Sequence, residues 1–363
     1  MNPLPVLAVV VSVVAGCAGS PPTATQPVPT SAPLDTLKPP PTAALVSPTV
    51  VASPAADPDS TPLVTDGEAW IAFQWVDGSG DGIFLVRPDG TGHHQLVSGM
   101  AGSEIHPDWS PDGGRIAFVR QTPEGPVELW VVDADGTDAE RLYSCDLPCN
   151  EIHYPDWSPD GTSIYFSQNS DVPPGEVVPR TFSIGRFDVT DRTAHLVVSR
   201  DDGIETWQAR ASPDGTTLAY TAGSETIGGT AIFTMPIDGG TERQLTEWEL
   251  LGALPDWTPD GRIVFHTHDL AIFPSLNEPA NLFIMDADGG NLEQLTQFEE
   301  SGLRAAQPRV APDGSGVAFT HVEGPGTGAR RLAFLPFGEP EPRWLTPEAI
   351  NGTHPHVRPV TED

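Results

Sequence analysis

From about residue 69 onward, apolar and polar positions alternate in short runs and never take up a helical period. Six of these runs are alike: Ala69-Trp-Ile-Ala-Phe73, Arg115-Ile-Ala-Phe-Val119, Ser163-Ile-Tyr-Phe166, Thr217-Leu-Ala-Tyr220, Arg262-Ile-Val-Phe265 and Gly316-Val-Ala-Phe319. Their β-branched and aromatic content suits strands. After a variable loop comes a second kind of run, such as Ile83-Phe-Leu-Val86, Leu129-Trp-Val-Val132 or Leu282-Phe-Ile-Met285. It ends in an Asp-Gly turn (Asp133-Ala-Asp-Gly136, Asp286-Ala-Asp-Gly-Gly290) that leads into a short third run, Arg141-Leu-Tyr143 or Gln294-Leu-Thr296. Asp-Gly between alternating runs predicts a hairpin. The pattern predicts an all-β chain.

One phrase punctuates it. His106-Pro-Asp-Trp-Ser-Pro-Asp-Gly113 returns as Tyr154-Pro-Asp-Trp-Ser-Pro-Asp-Gly161 and Leu254-Pro-Asp-Trp-Thr-Pro-Asp-Gly261. Looser copies are Gln208-Ala-Arg-Ala-Ser-Pro-Asp-Gly215 and Gln307-Pro-Arg-Val-Ala-Pro-Asp-Gly314. The turn aspartates 112, 160, 214, 260 and 313 are 48, 54, 46 and 53 residues apart. That is close to the period of a four-stranded propeller blade. The first unit enters at Trp70 without an opening strand, and a last phrase, His354-Pro-His-Val-Arg-Pro359, stands alone near the C-terminus. Joined, the two predict a six-bladed β-propeller of four-stranded antiparallel blades, its ring closed when the C-terminal strand enters the first blade.

The recurrent Pro-x-Trp-Ser-Pro-Asp-Gly, followed by Ile-Ala-Phe and Asp-x-Asp-Gly-Gly…Gln-Leu-Thr, resembles the WD-related repeat of the TolB family. A similar repeat occurs in the propellers of prolyl-oligopeptidase-like peptidases. The resemblance runs from about Trp70 to Pro359, with Ala211 and Val310 standing where Trp is usual. It implies a TolB-like propeller, a fold that in TolB serves to bind envelope partners.

Residues 1–16 hold a short apolar run (Val6 to Val14) and then Val14-Ala15-Gly16-Cys17. This resembles a lipoprotein signal with its lipobox, so Cys17 is the expected lipidation site and the localisation extracytoplasmic, periplasmic or cell-surface. Residues 17–65, rich in Pro, Thr and Ala, form a flexible tether, and residues 66–363 the propeller. Outside the cytoplasm, Cys145 and Cys149 read as a disulfide worth about 2 kcal/mol by loop-closure entropy. The chain carries a net charge of −32, and only Asp35, Asp57, Asp59 and Lys38 of its charges precede residue 66. Such acidity excludes nucleic acid and anionic lipid as charge-driven partners. It leaves lipid at the N-terminus as the only expected membrane contact, and a monomer as the expected state.

Catalytic chemistry finds little purchase. A peptidase needs a Gly-x-Ser-x-Gly elbow, which the chain lacks. His266 and His268, followed by Asp269, could face one way on a strand, but two polar residues at a strand end explain them as well. No metal and no cofactor is expected. The position before each Trp reads Asp108, Asp156, Arg210, Asp256, Arg309 and His356, a mixture suited to pairing beside the channel. Two positions earlier, His106, Tyr154, Gln208, Gln307 and His354 are candidates to line the channel entrance, with Leu254 at the equivalent position of the fifth phrase. The long loops Ser167 to Thr181 and His266 to Asn281, with the acidic links around Asp201, Asp202, Glu205, Glu247, Glu249, Glu299 and Glu300, share the face opposite the Pro-Asp-Gly turns. Asp201, Asp202 and Glu205 are candidate partner contacts there. The leading expectation is an envelope lipoprotein whose propeller binds a protein or glycan. The alternative is a propeller enzyme, lyase or hydrolase-like, acting on a saccharide or similar polar substrate at the central channel.

Overall fold

In a computed structural model, the described residues are 68–360, excluding 78–79, 98–101, 123, 147–148, 171–180, 201, 225–226, 268–278, 299–302, 324–328 and 347–350. Cys17, the signal, the tether, Asp201, His268, Asp269, Glu299, Glu300 and the middles of both long loops lie outside them.

Six four-stranded antiparallel sheets are present. Blade 1 runs outward from Gly352–Val357 through Ile71–Asp77 and Gly80–Val86 to His94–Gln95. Its inner strand is thus the last of the chain, pairing Ile71 with Val357. Blades 2 to 6 open on the inner strands Ser103–Trp109, Cys149–Trp157, Glu205–Ala211, Gly252–Trp257 and Arg304–Val310. Successive inner strands touch all the way round, the closing strand meeting those of blades 2 and 6. The ring is a six-bladed β-propeller, closed as its repeat count predicts. The helical content of the described residues is a single 3-10 turn, Trp248–Leu250.

The core is divided by boundary. Trp109 packs with Trp70, Ala72 and Ile116 between blades 1 and 2. Trp157 packs with Ile105, Ala117 and Ile164 between blades 2 and 3, and Trp257 with Ala219 and Phe265 between blades 4 and 5. The large ring needs a small neighbour, and the middle residue of each Ile-Ala-Phe run supplies it.

Every inner strand also carries a break in register, for example between Ile105 and Asp108 or between Trp207 and Arg210. The residue at the break has a left-handed backbone: His106, Tyr154, Gln208, Leu254, Gln307 and His354 all lie at φ between 48° and 58°. Five of the six are followed by Pro, which lacks the N–H a ladder would use and so suits a bulge. Each bulge takes its residue out of the ladder, where it meets the blade beside it.

Candidate functional site: the axis of the ring

Two tiers of side chains hold the blades together around the axis. In the tier nearer the Pro-Asp-Gly turns, a carboxylate or imidazole of one blade accepts the backbone N–H of the next. Asp108 Oδ2 takes Trp157 N–H at 2.8 Å, Asp156 Oδ2 takes Ala211 N–H at 3.0 Å, and Asp256 Oδ2 takes Val310 N–H at 2.7 Å. His356 Nδ1 accepts Trp109 N–H at 2.6 Å. Blades 4 and 6 carry arginine at this position, which cannot accept. Arg210 pairs instead with Asp156 at 3.0 Å, and Arg309 with Asp108 at 2.5 Å. In blade 4 the backbone does the accepting, Trp257 Nε1–H donating to Arg210 O at 3.0 Å.

The charges explain the protonation states. Burial drives His356 well below the ordinary histidine range, and the two arginines add to this. A neutral ring accepting at Nδ1 makes no ion pair with Asp108, although the two lie 3.3 Å apart. Three aspartates then face two arginines, a net −1. Burial pushes Asp156 up to about 6, against the pull of Arg210, and raises Asp256. Burial also works against the charge on Arg309, but Asp108, Asp256 and Asp156 outweigh it and hold the guanidinium charged.

The second tier is built from the bulges. A bulged N–H has lost its ladder partner and must be satisfied elsewhere. Tyr154 N–H points to His106 Nδ1 at 3.4 Å, and Gln208 N–H donates to Ser167 Oγ at 2.8 Å. Leu254 N–H finds Gln208 Oε1 at 3.2 Å and Thr221 Oγ1 at 3.0 Å. His354 N–H finds Gln307 Oε1 at 3.2 Å, while the Gln307 amide donates to His354 Nε2 at 2.9 Å. The five candidate entrance residues therefore belong to one structural tier. His106, Tyr154, Gln307 and His354 meet around a cavity of about 20 Å³, with Arg210 and Arg309 beneath, whereas Gln208 is buried away from it. That volume holds about one water molecule. His106 stacks on Tyr154 with ring centroids 4.2 Å apart and meets His354 edge-on at 4.4 Å. Burial takes His106 well below its ordinary pKa and His354 down to about 3.

On the opposite face the axis widens into a funnel of about 230 Å³, lined by Asp108, Asp156, Asp256, Arg309, His356 and the three tryptophans. Its charged groups and His356 are those of the first tier, already bonded across the blades. His266 is buried in the second strand of blade 5. Among the described residues no three His, Cys, Asp or Glu side chains converge to hold a metal ion.

Of the loop-face acids, Asp202 is a local anchor. Its Oδ2 meets Arg200 at 2.6 Å and its Oδ1 accepts Ile204 N–H at 3.1 Å. Glu205 opens the inner strand of blade 4, half-buried, and Glu247 and Glu249 are exposed. Cys145 and Cys149 are bonded, with Cα atoms 5.1 Å apart, and join the outer strand of blade 2 to the inner strand of blade 3. Sequence reasoning passed over Glu104, which lies opposite Arg120 and which burial pushes up to about 7.

No family model matches the sequence, and no curated protein does. Solved structures match by shape. TolB from Acinetobacter baumannii is 20% identical with a TM-score of 0.62, over 81% of this chain and 67% of that one. A putative TolB from Agrobacterium tumefaciens is 19% identical with a TM-score of 0.56, over 80% and 98%. An oligogalacturonate lyase from Vibrio parahaemolyticus is 12% identical with a TM-score of 0.53, over 76% and 73%. At these identities the likeness is one of fold: the chain is built as a TolB-like six-bladed β-propeller.

Proposed function

We propose that the chain is a cell-envelope lipoprotein, anchored through Cys17, whose propeller is a rigid platform for a protein or glycan partner and not an enzyme. One observation carries this reading: around the axis, the acids, the arginines and His356 of the first tier are spent on joining blade to blade. A catalytic base or nucleophile needs a free, aligned atom beside room for substrate. Here the entrance cavity takes about one water, and Asp108, Asp156, Asp256 and His356 each already accept a backbone N–H or an arginine. A scaffold so braced suits recognition on its outer surfaces. A chain of the nidogen/laminin complex shares the fold at a TM-score of 0.58 and 10% identity, so this architecture is also found within a protein complex.

The test is photo-cross-linking from the loop face in native membranes. The parent should capture a discrete partner, and Cys17→Ala should move the protein out of the membrane fraction. Reversing the exposed Glu247 and Glu249 should weaken capture several-fold at low salt if the partner is basic. Reversing the turn residues Asp135 and Asp288 should leave it unchanged. Turnover of a saccharide by purified protein would remove the reading.

A further inference from the structure

The repeat is broken at one boundary in a complementary way. Between blades 3 and 4 the inner-strand Trp is replaced by Ala211, and the small residue facing it is replaced by Tyr165. Tyr165 is 1% exposed and packs among Ala209, Leu218 and Tyr220, filling the gap from the opposite side. At the turn-face end of this same boundary lies a cleft of about 490 Å³, lined by Tyr165, Arg186, Asp160, Asp214, Asp238 and their turns. Its volume is that of a small-molecule site.

The lining has unused capacity of a particular kind. The Tyr165 hydroxyl, on an almost fully buried side chain that borders the cleft, makes no hydrogen bond among the described residues. Asp160 and Asp214 each spend Oδ1 on their own turn, taking Ser158 and Thr162 or Ser212 and Thr216, while Oδ2 makes no bond among the described residues. Those turn hydrogen bonds hold both carboxylates below the ordinary range, so they are charged at neutral pH. The one basic group, Arg186, is engaged: Nε donates to Ser163 Oγ at 2.9 Å and Nη2 lies 4.0 Å from Asp188. Three carboxylates therefore line the cleft without a basic partner among the described residues. They do not converge tightly enough to form a metal site. Acceptors spread along a cleft suit a cation that carries several N–H donors on an extended frame. The acidity of the whole chain would draw such a ligand in.

We propose that the cleft between blades 3 and 4 binds an organic cation rich in N–H donors, either a free polyamine or the guanidinium side chain of a basic peptide, with Asp160, Asp214, Asp238 and the Tyr165 hydroxyl as acceptors. The site is on the turn face, separate from the loop face put forward for the partner, and stands or falls independently of it.

Isothermal titration calorimetry of the detergent-solubilised full chain tests it, with spermidine and arginine amide as probes and sucrose as the neutral polyol. At least one cation should bind at a single site, and sucrose should not. The tighter of the two cations names the source. Asp214→Asn with Asp238→Asn keeps the turn hydrogen bonds and should weaken binding at least tenfold. Tyr165→Phe should weaken it several-fold without changing the melting temperature. Asp135→Asn with Asp288→Asn, on the same face but outside the cleft, should change nothing. Three results would overturn the proposal: neither cation binding, sucrose binding as well as they do, or equal loss in the Asp135/Asp288 variant.

Discussion

Blade 3 meets its two neighbours by opposite means. Toward blade 2 it presents Trp157 from its inner strand, set against Ile105 and Ala117. Toward blade 4 it presents Tyr165 from its second strand, set against Ala209 and Leu218, where Ala211 has taken the tryptophan's place. The two boundaries bury comparable aromatic bulk, contributed from opposite sides. What a boundary must conserve is filled volume, not a particular residue at a particular site. The tryptophan boundary is the plain solution, and the exchanged one leaves a polar cleft at its turn-face end.

Both solutions presuppose a closed ring, and breaking the ring is the harshest test of the comparison. Removing residues 351–363 strips Gly352–Val357 from Ile71–Asp77. It also takes away His356 from Trp109, His354 from Gln307, and the Arg358 N–H bond to Trp70 O at 2.7 Å. An open sheet edge then faces solvent. Stability should fall by several kcal/mol, with aggregation on size-exclusion chromatography. A truncated protein that melts with the parent would mean that the strand closes nothing.

The next test acts on the boundaries one at a time. Trp157→Ala should cost ~3–5 kcal/mol in urea denaturation, the range for truncating a buried aromatic. Tyr165→Ala should cost a similar amount, because the ring it removes fills the same kind of gap. Ala211→Trp alone should overpack against Tyr165 and cost ~1–3 kcal/mol. The double variant Tyr165→Ala with Ala211→Trp rebuilds the arrangement of the 2–3 boundary. It should lie within about 1 kcal/mol of the parent, so the two changes should couple strongly. Additive losses would show that the exchange is not a compensated pair.

Much of this architecture was legible in the sequence. The phrase ending in Pro-Asp-Gly marks an inner strand, a turn and a second strand wherever it occurs, and Trp70 entering without a first strand identifies the His354 phrase as its partner. Trp109, Trp157 and Trp257 recur at one position of that phrase, and in the fold each fills a boundary between blades. The axial tiers were not legible in the same way. Pro107, Pro155 and their equivalents signal a disturbed strand, yet nothing in the identities of His106, Tyr154, Gln208, Leu254 or Gln307 announces a left-handed backbone. The bonds from Asp108 to Trp157 N–H or from Gln208 to Leu254 N–H join residues nearly fifty positions apart, and they exist only once inner strands stand side by side. The pairing of Asp202 was hidden for a related reason: charge on a link shows in the sequence, whereas its ion pair with Arg200, two residues before it, shows only in the fold. Of the Tyr165 and Ala211 exchange only Ala211 stood out as a departure from the phrase, and packing shows that Tyr165 answers it.

The mildest test asks whether the entrance tier is structural in the way the boundaries are. His354 is held near a pKa of about 3 by burial, with Arg330 and Arg309 adding to the effect. In the unfolded chain the same ring titrates near 6.5. Above pH 6.5 both states carry it neutral and it adds nothing to the pH dependence. As pH falls from 6.5 toward 3 the unfolded state takes up the proton first, and stability is lost at ~1.4 kcal/mol per pH unit for this residue. Asp156 and Glu104, raised to about 6 and about 7, act with the opposite sign, since the folded state binds their protons first. The parent's pH profile therefore mixes both effects, and a paired comparison isolates the histidine. Gln is the apt replacement, because blades 4 and 6 already carry Gln208 and Gln307 at the equivalent bulge with the same left-handed backbone. His354→Gln should leave urea stability at pH 7.5 within about 1 kcal/mol of the parent. At pH 5 it should be the more stable of the two by ~2 kcal/mol. An equal acid loss in both proteins would mean that the His354 ring takes up its proton in the folded state, and that this part of the axis is open to water in a way the tryptophan boundaries are not.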